Sequence, residues 1–174
     1  MPVKLKNRHR LSKKEKKNMR QWLDDPILRK VKEEDCGSIE VGDYGDSKIY
    51  LCDGSCFLVS VNYGSRDLLI PCLRRLLKVY KDNGSVADIG VDRGAVKALM
   101  RGANLMAPGV KEVFTDFSKG SVVVIADVET MAPVAVGVSL VSSEELRNMI
   151  ANKMKGKVVD VLHYVGDKIW KSFS

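Results

Sequence analysis

The stretch VDRGAVKALMRGANLMAPGV, residues 91–110, decides the fold of the second half of this 174-residue chain. Asp92 is a residue type that caps helix N-termini, and Gly102 stands where a left-handed glycine ends a helix. The stretch therefore predicts a short capped helix over residues 92–101, which is followed by a Gly-Ala turn and a Pro-Gly turn.

This predicted helix has an apolar face and a basic face. The apolar stripe, at steps of three and four, consists of Val96, Leu99 and Met100. The basic side chains recur at steps of four and are Arg93, Lys97 and Arg101. A rise of ~1.5 Å per residue puts these cations about 6 Å apart, near the spacing of phosphates along a nucleic-acid strand. A solvated amphipathic helix explains the same spacing, but the turn glycines favour exposed backbone N–H groups beside the cations, where a phosphate can dock.

The same residues resemble the opening of a PUA domain, the small RNA-binding barrel named from pseudouridine synthases and archaeosine transglycosylases. Within the PUA proteins, the chain resembles the malignant-T-cell-amplified-sequence family, including its archaeal and yeast members. The segments that carry the resemblance are DRGA (92–95), RGANLMAPG (101–109), VGV (136–138), SSEE (142–145) and LHYVGD (162–167), with Trp170. The resemblance is dense over residues 88–172 and weaker over 20–87, where LIPCLRRLL (69–77) is similar to the family's N-terminal domain.

The net charge of +7 is concentrated at the N-terminus. Residues 1–20 hold nine basic side chains against a single acidic one, whereas the other 154 residues hold 20 basic and 21 acidic groups. This distribution predicts a basic arm on a nearly neutral body, and such an arm suits nucleic-acid phosphate. A solubilising tail is the alternative. No apolar run is long enough to span a membrane, and no secretory signal is visible, so we expect a cytoplasmic protein.

The four cysteines Cys36, Cys52, Cys56 and Cys72 include no CxxC pair. In a reducing cytoplasm this spacing favours free thiols that pack as small hydrophobes over a zinc site. A hyperthermophilic source would reopen the question of disulfides.

The class predicted for the whole chain is α+β. Residues 1–20 form the arm and the start of the first helix, residues 21–85 an N-terminal α+β domain, and residues 86–174 a PUA-type small β-barrel with short helices. Ser12 and Glu15 form a capping box for a helix over residues 13–23. That helix is expected to bury Met19, Trp22 and Leu23.

Turn residues and alternation predict the other elements of the N-terminal domain. The expected strands form an antiparallel meander and cover residues 38–41, 47–52 and 55–62. A short polar helix is expected over residues 27–34, and Pro71 is expected in the first turn of a later helix. The apolar face of that helix consists of Leu73, Leu76, Leu77 and Tyr80.

In the barrel, apolar runs predict four strands, over residues 110–114, 121–128, 134–141 and 157–164. A second capping box, Ser142 with Glu145, opens a helix that ends near residue 154. Residues 168–173 form a C-terminal anchor through Ile169, Trp170 and Phe173.

Signatures of catalysis are mostly absent from the sequence, which has no P-loop, no GxSxG elbow and no HExxH motif. His163 stands in the last predicted strand, where alternation does not decide whether it points inward or outward; we interpret it as structural or RNA-contacting. We therefore expect a protein that is not an enzyme, with no catalytic residue, no metal and no cofactor.

A second basic cluster, Lys153, Lys155 and Lys157, enters the last strand, which the resemblance places beside the basic helix. The two clusters together predict a phosphate groove, although a solvated lysine-rich loop fits equally well. The predicted RNA-binding residues are Arg93, Lys97, Arg101, Gly102, Ala103, Asn104, Lys153, Lys155, Lys157 and His163.

The residues alone predict a protein that binds nucleic acid, with RNA favoured over DNA. The resemblance implies action in translation, on small-subunit rRNA or tRNA during initiation, re-initiation or recycling. It also implies the small ribosomal subunit as a partner and a SUI-like domain supplied by another polypeptide, and the basic N-terminus suggests an archaeal relative. The alternatives are an accessory protein that delivers tRNA or rRNA to a separate modifying enzyme, and a protein-interaction module.

Overall fold

Five strands in the N-terminal half form one antiparallel meander, in the order β1-β2-β3-β4-β5. The computed structural model describes residues 3–22, 25–31 and 36–173, and of Trp22 it describes the backbone. The strands are β1 (Lys6–Arg10), β2 (Ile39–Tyr44), β3 (Ser47–Cys52), β4 (Ser55–Tyr63) and β5 (Arg66–Pro71). The three strands expected from alternation are confirmed as β2, β3 and β4, whereas β1 and β5 are additional.

The basic N-terminal segment is part of this sheet and not a free arm. In β1, Lys6 lies opposite Asp43 and Arg10 lies opposite Glu40 of β2. Such opposite-charge pairs across neighbouring strands favour the pairing. Leu5 is only 7% exposed and belongs to the core. The prediction of an arm is therefore wrong for these residues, whose basic side chains are held on an edge strand.

Two helices and a 3₁₀ turn cover the first sheet. α1 (Lys13–Trp22) begins at the predicted capping box, in which the Glu15 N–H donates to Ser12 Oγ at 3.2 Å and the Ser12 N–H donates to Glu15 Oε2 at 2.7 Å. Met19 is fully buried, as expected. The predicted burial of the Trp22 and Leu23 side chains lies outside the described residues. The polar helix expected over residues 27–34 is a 3₁₀ turn, Leu28–Val31, and residues 32–35 are not described.

Pro71 was expected inside a helix, and this prediction is wrong. It is the last residue of β5, opposite Leu58, and α2 (Leu73–Asn83) begins two residues later with Cys72 as N-cap. β5 is an edge strand, where the missing N–H of a proline is tolerated. The expected apolar face of α2 is deepest at Leu73 and Leu76, which are fully buried.

The second sheet has six strands and a mixed order, β7-β11-β10-β9-β6-β8. Its strands are β6 (Ile89–Val91), β7 (Leu105–Met106), β8 (Val110–Val113), β9 (Val122–Asp127), β10 (Pro133–Ser139) and β11 (Lys157–Tyr164). β6 runs parallel to β9, and the other neighbouring pairs are antiparallel. The four predicted strands are confirmed, β11 with the predicted ends and the other three with ends shifted by one or two residues, while β6 and β7 were not predicted.

Three short helices complete this half: α3 (Arg93–Leu99), α4 (Ser143–Ala151) and α5 (Lys168–Ser172). The predicted capping box of α4 is present, with both Ser142 and Glu145 engaged. Gly109 accommodates α3, since a β-carbon there would lie 2.7 Å from Ala95 Cβ. No helix in the described ranges is long and apolar enough to cross a membrane.

The two halves meet in one apolar cluster, and the second half has a further core of its own. Val124, Val136, Ile169 and Phe173 of the second half pack into the cluster that the first sheet builds with α1 and α2. Polar contacts reinforce this interface, among them the ion pair between Lys30 Nζ and Asp88 Oδ1 at 2.8 Å. The halves therefore hold each other in place through packing as well as through the chain that joins them.

The cysteines depart from the expectation of free thiols. Cys36 and Cys52 form a disulfide, with their Cα atoms 5.3 Å apart, whereas Cys56 and Cys72 are free and buried. The prediction is wrong for the first pair, because β2 and β3 bring residues that are 16 positions apart in sequence into contact. Among the described residues, no group of three metal-binding side chains is suited to hold a metal ion.

Candidate nucleic-acid interface

The predicted N-cap of α3 is confirmed, since the Asp92 carboxylate accepts a hydrogen bond from the Ala95 N–H at 2.8 Å. Leu99 is 1% exposed and anchors the helix in the core of the second half. Met100, by contrast, is 47% exposed, so its predicted place in the buried stripe is wrong. α3 ends at Leu99, and the turn that follows carries Met100 away from the apolar stripe.

The glycine turn after α3 does not offer the free N–H groups expected from its sequence. The Gly102 N–H donates to the Leu99 carbonyl at 3.0 Å, and the Ala103 N–H donates to the Ala98 carbonyl at 3.1 Å. These two bonds form a Schellman motif, in which the turn satisfies the last carbonyls of the helix. A phosphate at this turn would meet side chains and exposed backbone carbons, not a nest of donors.

Gly102 has the expected positive φ, at +88°. A β-carbon at this position would also lie 2.9 Å from the Tyr164 hydroxyl oxygen, closer than real contacts allow. Glycine is thus required twice, by the backbone conformation and by the close approach of β11. Tyr164 was not predicted as part of the site, because only the pairing of distant segments brings it to the turn.

The chain beyond Gly102 runs along β11 as the outer edge of the second sheet. Asn104 Oδ1 accepts a hydrogen bond from the Val161 N–H at 2.9 Å, and β7 then pairs Met106 with Lys157. Tyr164 and Lys157 therefore mark the two ends of a strip in which residues 102–106 lie beside β11. We call Lys97 and the exposed residues of the ranges 101–106 and 153–157 the edge surface.

The cations of the edge surface differ in whether they are paired. Lys157 Nζ lies 2.9 Å from Asp160 Oδ1, and the other carboxylate oxygen accepts a hydrogen bond from the Tyr63 hydroxyl at 2.7 Å. These contacts from Tyr63 and Lys157 lower the pKa of Asp160. Within the described part of the chain, Lys97 and Arg101 have no ion-pair partner. They are available to an anionic ligand, as are the exposed Lys153 and Lys155, which also have no ion-pair partner within the described residues.

Arg93, the third basic residue of α3, lies at the other end of the helix. Its Nη2 is 3.3 Å from Glu129 Oε2, and both side chains are largely exposed. An ion pair of this kind contributes little free energy, so Arg93 remains accessible to a competing phosphate. Lys153 and Lys155 are exposed in the loop between α4 and β11. The predicted basic residues are thus all at the surface, but those of the edge surface lie at its two ends and Arg93 lies outside it.

Three methionines add apolar area to this edge. Met100, Met106 and Met154 are 47%, 49% and 48% exposed, and they are the exposed large apolar side chains of the described residues. Methionine is flexible and polarisable, and it adapts to flat apolar partners such as aromatic rings. The periodicity of the sequence did not predict that these methionines are exposed. The alternation in β7, where Leu105 is buried and Met106 is exposed, is the signal that could have indicated it for Met106.

His163 does not belong to the interface, and its prediction as an RNA contact is wrong. The side chain is fully buried and faces the N-terminal half. Its Nδ1 lies 2.6 Å from Asp167 Oδ2, and its Nε2 accepts a hydrogen bond from the Leu73 N–H at 3.1 Å. It therefore holds the first residue of α2 against β11.

The charge state of this buried cluster follows from its hydrogen bonds. Burial lowers the pKa of His163, but Asp167 and Cys72 together outweigh burial and raise this pKa above its ordinary value. A proton on Nε2 would nevertheless have to displace the Leu73 N–H, so the arrangement seen here is that of the neutral ring. Burial also raises the pKa of Asp167, but bonds from His163, Trp170 and Tyr164 outweigh it and hold this pKa below its ordinary value.

Comparison with known proteins identifies the family to which this chain belongs. The PUA domain model matches residues 87–165, and a domain of unknown function (DUF1947) matches residues 7–79. An uncharacterised protein of Methanocaldococcus jannaschii is 33% identical over 97% of this chain and 98% of its own length. The chain belongs to the PUA-domain proteins of the malignant-T-cell-amplified-sequence family. The resemblance predicted from sequence is confirmed.

Two further relatives support the fold and the functional class. A crystal structure of a PUA domain from Aeropyrum pernix, in a tartrate complex, is 32% identical with a TM-score of 0.78, and covers 94% of this chain and 89% of that one. Translation machinery-associated protein 20 of Saccharomyces cerevisiae is 32% identical over 60% of this chain. The match covers 57% of the yeast protein, little more than half its length. The predicted α+β class with a C-terminal PUA barrel is confirmed.

Proposed function

We propose that this PUA-domain protein is a non-catalytic RNA-binding protein of translation. It binds small-subunit rRNA or tRNA through the edge surface, during initiation, re-initiation or recycling. The observation that carries the proposal is the exposure of Lys97 and Arg101, which have no ion-pair partner within the described residues, beside the strip formed by residues 102–106.

The size of the strip suits a short stretch of RNA. The five steps from Arg101 to Met106 reach at most roughly 17 Å in an extended chain. With a phosphate about every 6 Å, this length accommodates about three nucleotides between the unpaired cations at one end and Lys153 and Lys155 at the other. The exposed methionines between them offer contacts to bases, which phosphate binding alone does not use.

Each residue of the site has a defined part in this proposal. Lys97 and Arg101 bind phosphate, with Arg93 as a weaker neighbour. Gly102 and Ala103 have little or no side chain, so an RNA strand can approach the turn closely. Asn104 offers its Nδ2 group, since its hydrogen bond with the Val161 N–H uses only Oδ1. Lys153 and Lys155 bind phosphate at the far end. Lys157 contributes to phosphate binding at the same end and keeps its ion pair with Asp160.

The translation assignment is supported by the family and by the printed name of the yeast relative. We assign the boundary between the N-terminal and PUA domains to residues 85 and 86. In this account the protein works in the cytoplasm on the small ribosomal subunit, together with a separate protein that carries a SUI-like domain. The chain needs no metal, cofactor or catalytic residue to do so.

Charge reversal tests the proposal. Lys97→Glu with Arg101→Glu removes two phosphate contacts, and should weaken binding to tRNA or small-subunit rRNA by roughly 20-fold or more at about 0.1 M salt. The matched control is Lys119→Glu, an exposed lysine in the turn before β9. Filter binding or fluorescence anisotropy over a salt series gives both the affinity and its salt dependence. If the double variant binds like the control, the edge surface is not the RNA site.

A further inference from the structure

A second group of cations lies on α2, in the N-terminal half. Arg74, Lys78 and Lys81 stand at i, i+4 and i+7, a spacing that places them on one face of the helix. They line a groove of about 430 Å³ between α2 and the turn that joins β3 to β4. Steps of three and four residues separate the cations by roughly 4.5 to 6 Å along the helix axis.

Arg74 is held in a fixed orientation at one end of this groove. Its guanidinium carbon lies 3.7 Å from the centre of the Trp170 ring, and its Nη2 donates to the Trp170 carbonyl oxygen at 2.9 Å. The guanidinium plane is therefore immobilised on one side, while the residue still lines the groove. A preorganised guanidinium plane donates hydrogen bonds to phosphate and also stacks on a nucleobase, and this stacking is what a lysine ammonium lacks.

The described lining of the groove holds four basic residues, Arg74, Arg75, Lys78 and Lys81, against two acidic ones, Asp53 and Asp82. The Asp53 carboxylate accepts hydrogen bonds from the Gly37 and Ser38 N–H groups at 2.9 and 2.7 Å, and these bonds lower its pKa. The charge of Asp53 is thus compensated by the backbone N–H groups of Gly37 and Ser38. Lys78 and Lys81 are exposed and have no ion-pair partner within the described part of the chain. The face they form is consequently cationic.

The groove is also connected to the edge surface through one short segment. Tyr164 packs against Gly102 at the edge surface, and Trp170, six residues later, packs against Arg74. One end of the edge surface and the α2 groove are therefore both in contact with the segment 164–170.

We propose that the α2 groove is a second RNA site, which binds backbone phosphates of a single-stranded segment through Lys78 and Lys81 and stacks a base on Arg74. The inference rests on the proposed function in that RNA is the ligand. It adds a contact outside the PUA domain and lengthens the bound segment. An acidic peptide is the competing ligand for such a face.

The test compares two double variants with a labelled oligouridylate of about 20 nucleotides as the probe. Lys78→Gln with Lys81→Gln removes two phosphate contacts, so affinity at about 0.1 M salt should fall roughly 20-fold and the slope of log K against log salt by about 1.4. Lys119→Gln is the control.

Arg74→Lys tests the stacking separately. It keeps the charge and removes the planar group, so affinity should fall by at least about 5-fold while the salt slope stays the same. An unchanged affinity would overturn the stacking role of Arg74. Thermal melts of each variant establish that the comparison is made on folded protein.

The outcomes separate the two proposals. If Lys78→Gln with Lys81→Gln binds like the control while Lys97→Glu with Arg101→Glu binds weakly, the α2 groove is not an RNA site and the proposed function stands. If only the α2 variant binds weakly, the groove stands and the edge surface falls. An oligoglutamate peptide that binds the groove as tightly as oligouridylate would overturn the assignment to RNA.

Discussion

The two sides of β11 use polar groups in opposite ways. On the side that faces the N-terminal half, His163 is fully buried and both of its ring nitrogens are hydrogen-bonded, to Asp167 and to Leu73. On the side that pairs with β7, the neighbouring cations Lys97 and Arg101 are exposed and lack ion-pair partners in the described residues. Satisfied groups hold the fold together, whereas unsatisfied charges at the surface are available to a ligand.

The comparison shows that residues of one family motif can divide between structure and binding. LHYVGD and RGANLMAPG both carry the resemblance, yet the first supplies the contact between the halves and the second forms the exposed edge. Substitutions on the buried side should therefore change stability and leave the RNA affinity of the folded protein intact. Substitutions of the exposed cations Lys97 and Arg101 should do the reverse.

The largest loss of stability is expected from Leu99→Ala. Leu99 is 1% exposed beneath α3, and truncation leaves a cavity that costs about 3 kcal/mol of unfolding free energy. Urea unfolding measures this loss. RNA affinity, measured well below the new melting temperature, should stay within about two-fold of the wild-type value. A two-fold change is small beside the tenfold change in affinity that about 1.4 kcal/mol of binding free energy would give. A variant that keeps its stability would show that α3 is not anchored through this residue.

Asp167→Asn should cost about 2 kcal/mol, because it removes the charged acceptor of His163 and of two backbone N–H groups. The pH dependence has a definite sign. The folded-state pKa of Asp167 lies below its unfolded value, so its contribution is complete above about pH 4 to 5 and is lost as the pH falls through the folded-state pKa. Denaturant titrations of both proteins at several pH values from about 3 to about 7 measure this pH dependence of the unfolding free energy. An acid dependence that is the same in both would exclude this role for Asp167.

Gly102→Val is expected to cost about 1–2 kcal/mol from the positive φ, with an added cost from the contact with Tyr164. RNA binding should fall by more than this stability loss explains, because the new side chain stands on the edge surface. Gly94→Ala in α3 is the matched control, since its β-carbon would meet only Asp92 Oδ1, at 3.4 Å. If the Gly102→Val protein melts at a lower temperature but binds RNA normally while folded, Gly102 serves only as a helix cap and not in RNA binding.

The sequence predicted best what is local. The caps at Ser12, Asp92 and Ser142 depend on residues three positions away, and all three are present. The strand β1 was missed because its charges are matched only by β2, about 30 residues later. The orientation of His163 depends on Leu73, which is 90 residues away in sequence.

The candidate site was predictable in its residue types and not in its geometry. The basic spacing of α3 and the positive φ of Gly102 follow from the sequence. The occupied N–H groups of Gly102 and Ala103 do not, because the same glycine turn is compatible with either a phosphate nest or a Schellman motif. The disulfide between Cys36 and Cys52 was equally hidden, since the register of β2 and β3 decides it.

The most direct test of the account is a map of amide hydrogen exchange with and without bound tRNA or small-subunit rRNA. Added protection is expected over residues 97–106 and 153–157, and unchanged exchange at His163, which is already fully buried in the free protein. Protection confined to other surfaces, with residues 97–106 exchanging as in the free protein, would contradict the claim that the edge of β11 binds RNA.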